Sequence, residues 1–252
     1  RNGGRTAVVV RVYRPDSGAA ATPGRATLSV GTLQLEAESE GAWGSGLRVR
    51  VDHDTRPFDP ALGETSTSLF TLTVRDGSTG DIEEHRDLVV APPGHPRQVA
   101  TVLQGQSRLV RVSGTGPTRP AAHAENPAAG ASVWDDATPA TSSGAAGGSD
   151  GVGLTAADFV TSGGGATSTG LAALTRADHF SLLVIPPYTA GDGVDAAVVA
   201  AAAALCEERR AMLLLDAPPG WDDARAVLTA SAAGLEAALG TSSANAAVYF
   251  PR

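Results

Sequence analysis

Two hydrophobic periodicities divide this chain of 252 residues, and they call for different sheets. From Leu47 to Asp52, apolar and charged residues alternate: Leu47, Val49 and Val51 fall on one side, Arg48, Arg50 and Asp52 on the other. A period of two with one polar face specifies a half-buried strand, typical of an antiparallel sheet. Over Leu182 to Ile185 and Met212 to Leu215 the apolar residues run without a break. Such runs fit strands covered on both faces, the environment of a parallel sheet with crossover helices.

The alternating pattern fills the first half. It predicts strands over 26–30, 33–37, 47–51, 68–74, 83–89 and 108–112, with "RDGSTGD" (Arg75 to Asp81) closing a hairpin. "HPRQVATVL" (His95 to Leu103) predicts a short helix entered through Pro96. Just before the third strand, "EGAWGSG" (Glu40 to Gly46) reads as a bend that its glycines permit, a place to cradle phosphate, to let a ligand approach the backbone or to turn a corner under an aromatic lid.

The continuous pattern governs the last hundred or so residues. "FSLLVIPP", "VDAAVVAAAAALCEERR", "AMLLLDAPPG", "WDDARAVLTASAAGLEAAL" and "NAAVYFP" read as strand, helix, strand, helix, strand. That order implies right-handed crossovers and a parallel sheet. "TAVVVRVY" (Thr6 to Tyr13) has the same character and is expected as a further strand of it. The expected fold is an α/β core with a mostly parallel sheet, built from residues 1–14 and 151–252, plus an inserted, mostly antiparallel β-domain at 25–112, α+β overall. Residues 113–150 are rich in Gly, Ala, Pro, Ser and Thr without periodicity, and are expected as a flexible linker or surface loop.

Composition narrows the function classes. The net charge of −8 gives no electrostatic footprint for nucleic acid or anionic lipid. All 19 basic residues are arginine, which removes Schiff-base chemistry and the P-loop lysine. Cys206 is the single cysteine, so no disulfide framework is expected. No signal-peptide pattern opens the chain, and its longest apolar run, Gly193 to Leu205, is too short and alanine-rich to span a bilayer. A soluble, intracellular protein is expected.

The motif matches lack their required contexts. Gly147-Gly148-Ser149-Asp150-Gly151 fits the string of a nucleophile elbow, but no strand precedes the serine. Gly151, Gly153 and Ala156 fit a relaxed dinucleotide fingerprint, again with no strand upstream. Asp52, His53 and Asp54 carry ligand atoms for a metal, but neighbours on a strand point to opposite sides. Asp216 closes a buried strand where α/β enzymes often keep their chemistry, with Asp178, Asp192 and Asp195 near the neighbouring strand end. Pro186-Pro187 and Pro218-Pro219 stiffen those loops, and Asp192 and Asp222 stand where helix N-caps belong, so capping explains them too. Expected catalytic, cofactor-binding and metal residues are therefore none.

The order of the strings carries a resemblance. "NGGRTAVVVRV", "GAWGSGLRVRVD", "SRLVRV", "DHFSLLVIPP", "CEERRAMLLLDAPPGW" and "NAAVYFPR" resemble, in this order, the sheath subunit of contractile phage tails and related contractile injection systems. The resemblance runs from Asn2 to Arg252, the linker excepted. It implies an α/β core with an inserted outer β-domain, and an N-terminal arm and C-terminal domain lying outside this chain. It also implies a structural, non-enzymatic subunit without cofactor, in a homo-oligomeric helical sheath around an inner tube. The partners it implies are neighbouring sheath subunits, the inner tube protein, and baseplate and tail terminator proteins, with no nucleic acid and no membrane insertion. The implied location is a phage virion tail, or assembly in the bacterial cytoplasm. Two other classes stay open on the residues alone. One is an α/β enzyme with a β-domain lid using Asp216 with Asp178 or Asp192; the other is a binding module presenting Trp43, Phe58 and Phe70.

Overall fold

A computed structural model describes residues 6–15, 24–116, 118–136, 138–160, 168–188, 193–230 and 234–250. The fold is α+β, with two antiparallel sheets and one parallel sheet. The chain divides into two compact units, residues 15–152 and residues 1–14 with 153–252.

The unit at 15–152 is built from two antiparallel sheets. β1 (Thr27–Val30), β2 (Leu33–Ala37) and β6 (Val110–Gly114) form one, in the order β1-β2-β6. β3 (Leu47–Asp52), β4 (Phe70–Asp76), β5 (Ile82–Leu88) and β7 (Ser143–Gly144) form the other, in the order β5-β4-β3-β7. Alternation puts Leu33, Leu35, Leu47, Val49, Val51, Leu72 and Val74 into one core, each at most 1% exposed. At about 25 cal/mol per Å² of apolar surface removed from water, this core is the main stabilising element of the unit. The β4–β5 hairpin closes as its turn residues predict: the Asp76 carboxylate accepts from the Ser78 amide and hydroxyl. Those bonds hold the Asp76 pKa below its ordinary value despite the desolvation that opposes them.

Helix α1 (Val99–Gln106) starts three residues after Pro96, later than expected. The reason is a backbone exchange: the Val89 amide donates to the Arg97 carbonyl and the Val99 amide donates back to Val89. Residues 97–99 are held extended beside β5, so the helix begins only once that pairing ends.

The bend before β3 answers to packing. Residues Ala42–Gly46 form a single 3-10 turn, and Gly44 is buried in it. A Cβ at Gly44 would lie 2.9 Å from the Ala37 Cβ and 3.0 Å from the Ala26 Cβ. Gly41 has φ 138°, and a Cβ there would meet the Trp43 ring at 2.5 Å. The glycines let the turn close onto β1 and β2 with Trp43 packed over it.

Composition leaves 113–150 as a flexible linker or a surface loop, and its described residues make specific contacts with β3. Residues 113 and 114 complete β6, and β7 pairs with β3. Arg48 donates to the Ser142 hydroxyl at 3.0 Å and to the Asp136 carboxylate at 2.7 Å. Arg50 donates to the carbonyls of Ala124 and Thr141. His123 continues the ladder with its side chain, accepting from the Val51 amide at Nδ1 while its own amide donates to the Val51 carbonyl. The polar face of β3 is thus a binding face for the loop, which hydrogen bonds order in place of a hydrophobic core.

The second unit holds a parallel sheet of β8 (Leu182–Val184), β9 (Met212–Asp216) and β10 (Ala246–Tyr249), in the order β10-β9-β8. Helix α3 (Ala196–Arg209) packs Val198, Val199, Ala202, Ala203 and Cys206 against it. Arg210 ends α3 in the left-handed region, and the Ala211 amide donates back to Cys206. Two short helices, α4 (Ala224–Ala230) and α5 (Leu235–Leu239), follow β9 where one longer helix is expected, and 231–233 lie outside the described residues. Helix α2 (Ala156–Val160) adds Phe159 to the core, its ring 4.4 Å from that of Tyr188. The expected strand at Thr6 to Tyr13 is not seen among the described residues, where these residues pair with no strand, although Val10 and Val12 pack against the core. Their β-branched side chains find an apolar site there, while their backbone makes no ladder. No helix among the described residues is long and apolar enough to cross a membrane.

Candidate functional site

Among the described residues the strand-end carboxylates do not converge. Asp216 lines a cavity of about 150 Å³ with Pro187, Val199, Leu215, Pro219 and Leu239, and no second carboxylate lines it among the described residues. Asp195 belongs to another cavity, where the Tyr188 hydroxyl donates to its carboxylate. Burial first and this bond second push the Tyr188 pKa up to about 12. Asp178 contributes its carbonyl, which accepts from Arg209. Asp192 lies outside the described residues. The strand order β10-β9-β8 never reverses, so among the described strands there is no topological switch point, the place where open α/β sheets bind ligands. Among the described residues, one carboxylate against apolar walls supplies no acid–base pair.

The remaining motifs serve the fold. Around Ser149, the serine amide donates to the Gly24 carbonyl, the serine hydroxyl accepts from the Gly151 amide, and the Asp150 carboxylate accepts from the Ala42 amide. Gly151 closes this loop, Gly153 opens the next unit, and Ala156 begins α2. Asp52 accepts from the Asp54 amide, and His53 donates from Nε2 to the Pro120 carbonyl at 3.0 Å. Among the described residues no three His, Cys, Asp or Glu side chains gather as metal ligands. The cap expected at Asp222 falls one residue later, where Asp223 accepts from the Ala226 amide. Asp195 stands at the N-cap of α3 but gives its carboxylate to Tyr188. Glu207 accepts from the Ser243 hydroxyl, and Arg209 reaches the Ala177 carbonyl with its guanidinium 5.7 Å from the Phe180 ring. Cys206 is fully buried, and burial pushes its thiol pKa up, as befits a core residue. The aromatic trio breaks up: Phe70 is fully buried, Trp43 half-buried, and only Phe58 is exposed.

A buried polar cluster escapes sequence reasoning altogether. The Glu64 side chain is fully buried and accepts from both terminal nitrogens of Arg56 and from the Asp59 amide at 2.6 Å. Its Oε1 lies 3.1 Å from the Nε2 of His95, outside good hydrogen-bond geometry, while the His95 Nδ1 accepts from the Arg97 amide. The Arg56 bonds hold the Glu64 carboxyl below its usual range, against the desolvation that opposes them. Arg56 also donates its amide to Asp87. This clamp fixes the 56–64 loop, and nothing in local periodicity announces residues eight and thirty-one apart.

The surface that stands out is one face of the parallel sheet. Leu183, Leu213 and Leu215 face α3 and are at most 9% exposed. The register places Leu182 beside Met212, Val184 beside Leu214 and Ala247, and Asp216 beside Tyr249 on the opposite face. There Leu182 is 61% exposed, Val184 60%, Met212 37% and Tyr249 62%. Parallel sheets are covered on both faces, and contiguous exposed apolar side chains mark an interaction surface.

Comparison with known proteins adds a likeness. No family model and no curated protein matches the chain. The chain is similar to solved sheath tail proteins. One, from Desulfitobacterium hafniense, is 20% identical with a TM-score of 0.38, over 79% of this chain and 36% of that one. Another, from Listeria innocua, is 15% identical with a TM-score of 0.42, over 77% of this chain and 34% of that one. The chain thus spans about a third of the length of these structures.

Proposed function

We propose that this chain is the framework part of a tail sheath subunit, a structural protein without catalytic, cofactor or metal residues. In this reading residues 1–14 and 153–252 are the α/β core, and the β-sheet unit is inserted between its two segments. The observation that carries the proposal is the bare apolar face of the parallel sheet, which fits a subunit meant to be covered in an assembly. The order of the six strings from Asn2 to Arg252 supports it.

Neighbouring sheath subunits form the helical assembly around an inner tube, with baseplate and terminator proteins at its ends, in a virion tail or in the bacterial cytoplasm. Contraction draws on two packings of one folded subunit separated by an energy gap, and so needs no nucleotide. A rigid core is what such a transition requires. The capped, proline-braced strand ends, with Asp216 against Pro187 and Pro219, serve that rigidity better than catalysis.

The test is negative-stain electron microscopy of the full-length protein produced with its genomic neighbours. Striated tubes in long and shortened forms are expected. Dispersed particles under all salt conditions would overturn the proposal.

A further inference from the structure

A cavity of about 500 Å³ in the β-sheet unit is lined by donors. Its polar wall consists of His53, Thr65, Thr67, Ser68, Thr118 and Arg119, and no carboxylate lines it. That is unusual in a chain of net charge −8. Asp52 and Asp54, the carboxylates nearest in sequence, act on Arg86, whose pKa they help to raise after its main partner Glu84. Glu64 is committed to the buried clamp on Arg56.

Arg119 supplies the charge. One of its nitrogens donates to the Leu69 carbonyl at 2.9 Å, which fixes the guanidinium at the wall. Its other N–H groups have no protein partner among the described residues, and no carboxylate pairs with it there. The hydroxyls are biased the same way. Ser68 Oγ already accepts from the Thr65 amide, and Thr65 Oγ1 from the Thr67 amide. Thr65, Thr67 and Ser68 share two hydroxyl–hydroxyl contacts, at 3.3 and 2.9 Å. Three hydroxyl hydrogens for two contacts leave at least one directed outward. His53 spends its Nε2 hydrogen on Pro120, which holds the ring as a wall.

We propose that this cavity binds an oxyanion of the phosphate type, with Arg119 as the charged anchor and the Thr65–Ser68 turn and Thr118 as hydroxyl donors. A guanidinium with free parallel N–H groups suits two phosphate oxygens at once. The volume exceeds that of a bare ion and lies in the range of small-molecule sites, so a phosphorylated sugar fits better than free phosphate.

The experiment is titration of the full chain with inorganic phosphate and, separately, with a hexose monophosphate, followed by amide chemical shifts. Saturable shifts at 65–68 and 118–121 are expected. Tighter binding of the hexose monophosphate names a phosphorylated sugar as the ligand, and equal binding names the free anion. Arg119→Gln is expected to weaken either by about tenfold or more, equivalent to about 1.4 kcal/mol. Arg119→Lys should recover part of the affinity. Because Arg119 also braces Leu69, Thr67→Val at the exposed rim is the second variant, with an expected loss of about threefold and an unchanged fold. No saturable shift with either probe, or equal affinity in Arg119→Gln and Thr67→Val, would overturn the site.

Discussion

The two units solve the same problem, burying a sheet face, to different degrees. In the unit at 15–152 the alternating strands turn their apolar side chains into one shared core. Even the charged face of β3 is used, because Arg48, Arg50 and the neighbouring His123 hold the 118–150 loop against it. In the unit of residues 1–14 and 153–252 a parallel sheet is covered by α3 on one face and, among the described residues, bare on the other. The first unit turns its sheet faces into one core, whereas the second leaves Leu182, Val184, Met212 and Tyr249 exposed on one face of its sheet. The comparison separates residues that maintain a fold from residues that the fold leaves exposed.

The largest expected effect tests that separation directly. Leu72→Asp or Leu213→Asp places a carboxylate at a fully buried position and should abolish folding of its unit, read by circular dichroism. Leu182→Asp, on the bare face of the same parallel sheet, should change stability by no more than about 0.5 kcal/mol. Equal damage from Leu213→Asp and Leu182→Asp would erase the distinction.

Next in size is the clamp. Glu64→Gln leaves Arg56 and His95 without their shared carboxylate and should cost about 3 kcal/mol in chemical denaturation. Since folding lowers the Glu64 pKa, its contribution is present above the unfolded value, near 4.5, and is lost as pH falls through the folded one. The variant should therefore show a flatter stability profile at acid pH than the wild type.

Gly44→Ala should cost about 1–2 kcal/mol, because its Cβ would press on Ala26 and Ala37 within the core. A smaller effect is expected from His123. Burial first, then the charges of Arg50 and Arg48, lower its pKa. Its contribution is present above the unfolded pKa of about 6.5 and is lost as pH falls toward the folded value. Hydrogen exchange at Val51 should accelerate over that window. His123→Gln should remove the dependence.

How much of this was legible depends on whether the cause is local. Six of the seven described strands of the first unit, all but β7, fall within two residues of their predicted starts, since alternation and turn chemistry are local signals. The unbroken run Met212 to Leu215 announces a strand of a parallel sheet but not its facing: Leu213 and Leu215 meet α3, and Leu214 looks to the bare side. The placement of the loop was hidden because Arg48 and Arg50, about 70–90 residues earlier in the chain, hold it by donating to the Ala124 and Thr141 carbonyls and to the Ser142 hydroxyl. Two arginines spaced by two on a strand face were the available signal. At the candidate sites, Asp216 was legible as a strand-end carboxylate, while its isolation was not. The donor cavity around Arg119 joins four separate stretches of chain that share no motif.

The most direct measurement is thiol labelling of the bare face in the full-length protein, free and assembled. Cys206, the single cysteine, is fully buried and burial pushes its thiol pKa up, so background labelling is low. Leu182→Cys and Val184→Cys report on the parallel sheet, and Ile82→Cys, on the outer strand of the other unit and 57% exposed, serves as reference. Covering of the face by a neighbouring subunit predicts rapid labelling of all three in the free subunit and, on assembly, protection of positions 182 and 184 alone. Equal labelling of Leu182→Cys in both states would show that the face stays bare, contradicting its role as an assembly surface.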